Sequence, residues 1–172
     1  MNSWLQIKSL YDHILSMCDA YRHYQLNILR NRIDLKWIKR NPISNFKIPR
    51  QLSDNETILW IGDQDNRLLS MLYVAARPFH NRKALIYAYS WTNENARGIG
   101  LSKLLRLMTI SYAFDNEYEY VISLPFEEAM SNILLDSMGF KEENGTRYLR
   151  IPDLNVKSYI IRQLSKRCNL PS

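Results

Sequence analysis

Apolar positions in the first twenty-odd residues recur at intervals of three and four: Trp4, Ile7, Tyr11, Ile14, Cys18 and Tyr21. That spacing is one face of a helix, predicted from about residue 3 into the twenties with Ser3 as its cap. Leu26, Leu29 and Ile33 carry the same period into a second predicted helix, and Pro42 and Pro49 bracket an irregular connection. From Glu56 the pattern changes. Residues 57–62 are apolar and rich in β-branched and aromatic types, 63–66 form a polar turn cluster, and 67–76 return as the second arm of a hairpin. A loop around Pro78, Phe79 and His80 leads to a third strand over 84–91. Leu101, Leu104, Leu105, Met108 and Tyr112 then form a helical stripe, and Ile110 and Phe114 beside it predict burial on a second side. Residues 118–123 read as a fourth strand and 125–138 as a helix. A hairpin over 140–151 turns at Asn144-Gly145, a dipeptide suited to two positive φ angles, and 156–167 close the chain as a helix.

This order predicts an α/β (α+β) fold: a mixed sheet with a central parallel pair, flanked by helices and preceded by a helical N-terminal extension. One domain is expected over 1–172, with a helical basic region at 1–50, a core at 56–151 and a C-terminal helix at 153–172. Hydrophobic content of 46% against 23% charged residues fits a folded core. No secretory leader and no apolar run near the roughly 20 residues of a membrane helix is visible, so no membrane partner and a cytoplasmic location are expected. Cys18 and Cys168 show no metal-ligand spacing. In a reducing compartment they are expected as two free thiols rather than a disulfide. His13, His23 and His80 lack ligand-spaced partners, and no metal site is expected.

The chain has only five glycines, and Gly98 and Gly100 fall between a predicted strand and the strongest helical stripe. Without a Cβ there, successive backbone N–H groups can face one concavity, onto which the helix start adds its unpaired donors and positive dipole end. Arg97 brings a charge and Ser102 a hydroxyl. The combination predicts a phosphate or pyrophosphate site. A nucleotide P-loop is excluded by the missing Gly-Lys-Ser/Thr, and a dinucleotide fingerprint by Lys103 at the third glycine position.

Residues 95–105, Asn-Ala-Arg-Gly-Ile-Gly-Leu-Ser-Lys-Leu-Leu, resemble the Gln/Arg-x-x-Gly-x-Gly/Ala signature of the GNAT superfamily of acyl-CoA N-acyltransferases, with Ser102 in place of the last glycine or alanine. Leu134-Leu135-Asp136-Ser137-Met138-Gly139-Phe140 is similar to that family's helix ending in Gly-Phe. The resemblance implies transfer of an acetyl or other acyl group from acetyl-CoA or another acyl-CoA to an amine. It implies backbone contacts from Trp91 and Thr92 to the pantetheine arm, and N–H groups from Gly98, Ile99, Gly100, Leu101 and Ser102 to the pyrophosphate. It also places Asn132 and Leu135 along the slot near the thioester sulfur.

Amine acylation needs a proton acceptor and is helped by an acid at the leaving thiolate. The tyrosine that many relatives carry four residues before the Gly of Gly-Phe is Leu135 here. One face of the strand before the turn carries Ala84, Ile86 and Ala88, none of which titrates. Three arrangements stay open: positioning alone, with water carrying the proton; substitutes among Tyr87, Tyr89, Ser123 and Ser137; or a fold that binds acyl-CoA without chemistry. Tyr87 and Tyr89 also read as core aromatics, and Ser123 as the cap of the following helix. Residues 22–50 hold eight basic side chains against Asp34 alone, which fits an anionic partner such as nucleic acid or a solvated basic surface. The aromatic first helix is a candidate dimer seam.

Overall fold

A computed structural model describes residues 3–29, 51–124, 129–165 and 168. The segment 30–50, with Ile33, Pro42, Pro49 and most of the basic stretch, lies outside them.

Helix α1 (Trp4–Met17) begins where Ser3 accepts from the Gln6 amide at 3.3 Å and the Gln6 side chain accepts from the Ser3 amide, a reciprocal capping box. The helix stops at Cys18, well short of the twenties, yet Cys18 and Tyr21 stay buried in the turn that follows. Its aromatic stripe is used within the chain. Trp4 stacks on Tyr112 with ring centroids 3.8 Å apart, and Tyr11 bonds Ser111 at 2.8 Å, so this face is not open as a dimer seam.

The predicted second helix is corrected at Leu26 and Leu29, which belong to strand β1 (Gln25–Leu29). It pairs antiparallel with β2 (Glu56–Gly62), and an edge donating and accepting five residues of backbone bonds outweighs a three-residue apolar spacing. Next come β3 (Leu68–Phe79) and β4 (Arg82–Thr92); Pro78 and Phe79 are strand residues, and the turn is His80-Asn81, both at positive φ. Helix α2 (Leu101–Asp115) leads to β5 (Tyr120–Ser123) and α3 (Ala129–Ser137), then to β6 (Lys141–Glu143), β7 (Thr146–Arg150) and α4 (Val156–Leu164). The seven strands run β1-β2-β3-β4-β5-β7-β6, and β4–β5 is the parallel pair.

Helix α2 is the hub of one face of the sheet, packed against α1, α4, β3, β4 and β5. The helix is buried on more than one side, as expected, with Leu107, Ile110 and Ser111 enclosed beside the Leu101–Met108 stripe; Phe114 is the exception, 53% exposed. The opposite face holds a separate cluster of Leu52, Ile58, Trp60, Leu68 and Met71. A disulfide joins Cys18 to Cys168 (Cα–Cα 4.8 Å), overturning the expectation of two free thiols. The chain ends of α1 and α4 meet beside α2, a proximity that a separation of 150 residues hides. The bond also removes the argument by which the thiols placed the chain in the cytoplasm. No helix among the described residues is long and apolar enough to cross a membrane.

Candidate functional site

Strands β4 and β5 separate before β4 ends. Their parallel register stops at Tyr87↔Ser123, while on its other side β4 stays paired to β3 as far as Ser70↔Thr92. Among the described residues no strand covers the outer edge of β4 over 88–92, a bare length of about 16 Å. The fork is sharpened by a bulge. Tyr73 pairs with Tyr89 and Val74 with Tyr87, so Ala88 is left over.

The extra residue reverses the faces beyond it. Tyr87 packs with the helices on the α2 side, and Tyr89 and Trp91 pack on the opposite cluster. The face that begins with Ala84 and Ile86 therefore continues with Tyr89, not Ala88, and does carry a titratable group. Trp91 and Thr92 are fixed on the β3 side, where Ser70 donates to the Trp91 carbonyl at 3.3 Å and bonds the Thr92 hydroxyl at 2.9 Å.

Past Thr92 the chain makes a single 3-10 turn over Glu94–Ala96, capped by Asn93, whose Oδ1 accepts from the Asn95 amide at 3.0 Å. Gly98 and Gly100 follow at φ +80° and +86°, and Gly100 is the cap of α2. A side chain at either position is strained. The N–H groups of Ile99, Gly100, Leu101 and Ser102 meet no protein acceptor among the described residues. The Leu101 side chain is sealed in the core, so only its backbone faces outward. Arg97 is exposed and makes no ion pair among the described residues. From the far end of α1, Tyr21 donates its hydroxyl to the Ile99 carbonyl at 2.9 Å and holds the turn from beneath.

Three solved structures share this fold across most of their length. A spermidine/spermine N-acetyltransferase, SpeG, from Vibrio cholerae superposes with a TM-score of 0.53 at 15% identity, covering 82% of this chain and 98% of that one. The KacTA–DNA complex gives 0.60 at 10% identity (80% and 99%). A mutant of the toxin AtaT, bound to the C-terminus of the antitoxin AtaR and acetyl-CoA, gives 0.58 at 9% identity (80% and 98%). The fold is GNAT-like. No protein-family model and no curated protein matches the sequence.

Within the GNAT-like fork, the side chains available for proton transfer sort by position. Tyr87 is fully buried and donates to the Arg106 carbonyl at 3.1 Å; burial pushes its phenol well above 10. Tyr89 is half-buried on the other face. Ser123 stands at the apex, buried, with its hydroxyl donating to the Leu124 carbonyl at 3.3 Å. The cap proposed for Ser123 involves 125–128, which lie outside the described residues. Ser137 is exposed and bonds the Leu134 carbonyl one turn back in its own helix. His80 sits at the far end of the β3–β4 hairpin from the fork, and exposed His23 bonds Gln64.

Helix α3 carries Leu135 and Asn132, the two residues the resemblance placed along the slot. Leu135 is fully buried in the core. The Asn132 side-chain Oδ1 accepts from Arg147 at 3.0 Å, and the same guanidinium reaches Asp136 and Glu142, both at 3.2 Å.

Sequence reasoning missed Arg106. It stands in α2 one turn after Ser102, only 1% exposed, and its guanidinium donates to Ser102 and to the Ser90 hydroxyl (3.2 Å) beneath the turn. The signal was present: a single charge inside the run Leu104-Leu105-Arg106-Leu107-Met108.

Proposed function

We propose that this chain is an acyl-CoA-dependent N-acyltransferase that moves an acetyl or other short acyl group onto an amine. The observation that carries the reading is the continuity of the bare β4 edge with the glycine turn at the α2 N-terminus. An extended polyamide such as pantetheine adds to a bare strand edge as one more strand, here at Ala88 to Thr92. A diphosphate then falls on the N–H groups of Ile99 to Ser102, with Arg97 supplying charge. This geometry leaves the thioester near Ala88 and Ser123, where the strands part.

At that point the amine attacks the carbonyl carbon, the C–S bond breaks, and the thiolate leaves. Holding amine and thioester in contact supplies much of the acceleration. Water takes the amine proton, and Ser123 is the protein hydroxyl nearest the apex to serve the leaving sulfur. SpeG, itself an N-acetyltransferase, and the acetyl-CoA-bound AtaT support this reading. Titration calorimetry with acetyl-CoA, followed by thiol release on a panel of amines, tests it. Binding with turnover is expected; binding without turnover leaves an acyl-CoA-binding module, and no binding at millimolar concentration ends the proposal.

A second reading concerns the acceptor. The eight basic residues of 22–50 and the presence of DNA in the KacTA complex favour an acceptor attached to nucleic acid. A gel shift at low salt that disappears when Arg30, Arg32, Lys36 and Lys39 are neutralised supports it; no shift at low salt ends it.

A further inference from the structure

Among the described residues, Arg106 is a buried cation with no carboxylate beside it. Among those residues it makes no ion pair within 4.0 Å, and its neighbours there are the carbonyl and hydroxyl of Ser102, the hydroxyl of Ser90, and the face of Tyr87 at 5.3 Å from the ring centroid. Its Nε hydrogen has no acceptor. Burial lowers its pKa, with only Tyr87 opposing. A guanidinium in this position costs stability unless something anionic completes it.

Guanidinium nitrogens donate and never accept. The Ser102 and Ser90 oxygens must therefore be the acceptors in their bonds to Arg106. The Ser102 hydroxyl hydrogen is then turned away from Arg106. Ser102 is the second residue of α2 and only partly buried, so that hydrogen is available to an acceptor at the mouth of the turn, alongside the N–H groups of Ile99, Gly100 and Leu101, which meet no acceptor among the described residues. Ser90, on the uncovered stretch of β4, holds the other arm of the fork and fixes the guanidinium across the strand–helix gap.

We propose that Arg106 is a positioning residue that fixes the Ser102 hydroxyl as an outward donor to the cofactor diphosphate and places its own charge behind that anion. This rests on the acyl-CoA reading above. It gives a reason for serine where the GNAT signature has glycine or alanine: the hydroxyl is the part of the site that Arg106 acts through.

The test is calorimetry with two probes, CoA and pantetheine, the second lacking both phosphates and nucleotide. Ser102→Ala weakens CoA by about tenfold and leaves pantetheine within twofold. Arg106→Met weakens CoA by as much or more. In the Arg106→Met background Ser102→Ala adds nothing, because the hydroxyl is no longer held. The unliganded Tm of Arg106→Met stays level or rises, since an apolar chain of similar size replaces an unpaired charge; a merely structural arginine lowers it.

If Arg106→Met does not fold, Ser102→Ala alone decides. A loss under twofold for CoA, an equal loss for pantetheine, or losses that multiply in the double variant each overturn the proposal. If wild type takes up neither probe, the acyl-CoA reading has failed and this inference falls with it.

Discussion

Gly98 and Gly100 hold the same left-handed backbone but offer different tests. An added Cβ at Gly98 meets no atom within 4 Å, so Gly98→Ala costs the backbone strain alone, about 1–2 kcal/mol. Gly100 caps α2, and a branched side chain there stands among the N–H groups proposed to receive the diphosphate. Gly100→Val is expected to weaken acetyl-CoA more than tenfold, where Gly98→Ala mainly lowers Tm; calorimetry and thermal melts on both variants check this. The hydroxyls near the fork separate in the same way. Tyr87→Phe removes a buried bond to the Arg106 carbonyl and costs about 1 kcal/mol of stability, with kcat little changed. Ser123→Ala is expected to lower kcat by about a hundredfold at unchanged KM for acetyl-CoA. A change under threefold assigns the chemistry to positioning and water.

Among the elements, β2 carries a pH dependence of its own. Glu56 opens the strand, accepts from the Ser53 amide at 3.0 Å and from the Tyr73 hydroxyl, and lies 4.0 Å from Arg77. The backbone bond first, then the Tyr73 bond, hold its carboxyl below the ordinary 4.5, while burial and that same bond push Tyr73 up to about 12. A depressed folded-state pKa means stability that is present above the unfolded value and lost as pH falls through the folded one. Wild type should therefore exceed Glu56→Gln in Tm above about pH 5.5, and the margin should close as pH drops below 4.5; a margin constant with pH refutes it. Elements longer than about nine residues were legible because their periods repeat often enough to choose between helix and strand. Leu26 and Leu29 were not, since five residues fit either period and the deciding partner, the edge of β2, lies thirty residues on. The Ala88 bulge left no mark in composition, so strict alternation put Tyr87 and Tyr89 on one face when the structure puts them on two. The turn was readable because Gly98 and Gly100 are the residues its backbone requires; for Arg106 the sequence shows the one charge in an apolar helix but neither its burial nor its serine partners.

Across the whole molecule, the turn after α1 is tied to the glycine turn before α2. Cys168, just beyond α4, is bonded to Cys18; the Tyr21 amide donates to the Cys18 carbonyl at 2.9 Å; and the Tyr21 hydroxyl holds the Ile99 carbonyl at 2.9 Å. This chain of contacts runs from the glycine turn to a covalent link between residues 150 positions apart. Cys168→Ser opens a loop of 150 residues and is expected to cost about 2–4 kcal/mol of stability. It should also weaken acetyl-CoA, because the turn that carries Tyr21 loses its anchor. Tyr21→Phe should weaken acetyl-CoA by roughly fivefold on its own, the worth of one hydrogen bond of about 1 kcal/mol. The two losses should not multiply, since both act through the same carbonyl. Calorimetry on the single and double variants, at a temperature where all are folded, measures the coupling. If Cys168→Ser binds acetyl-CoA as tightly as wild type while melting lower, the disulfide braces the fold without setting the turn, and Tyr21 holds Ile99 by packing in its own pocket.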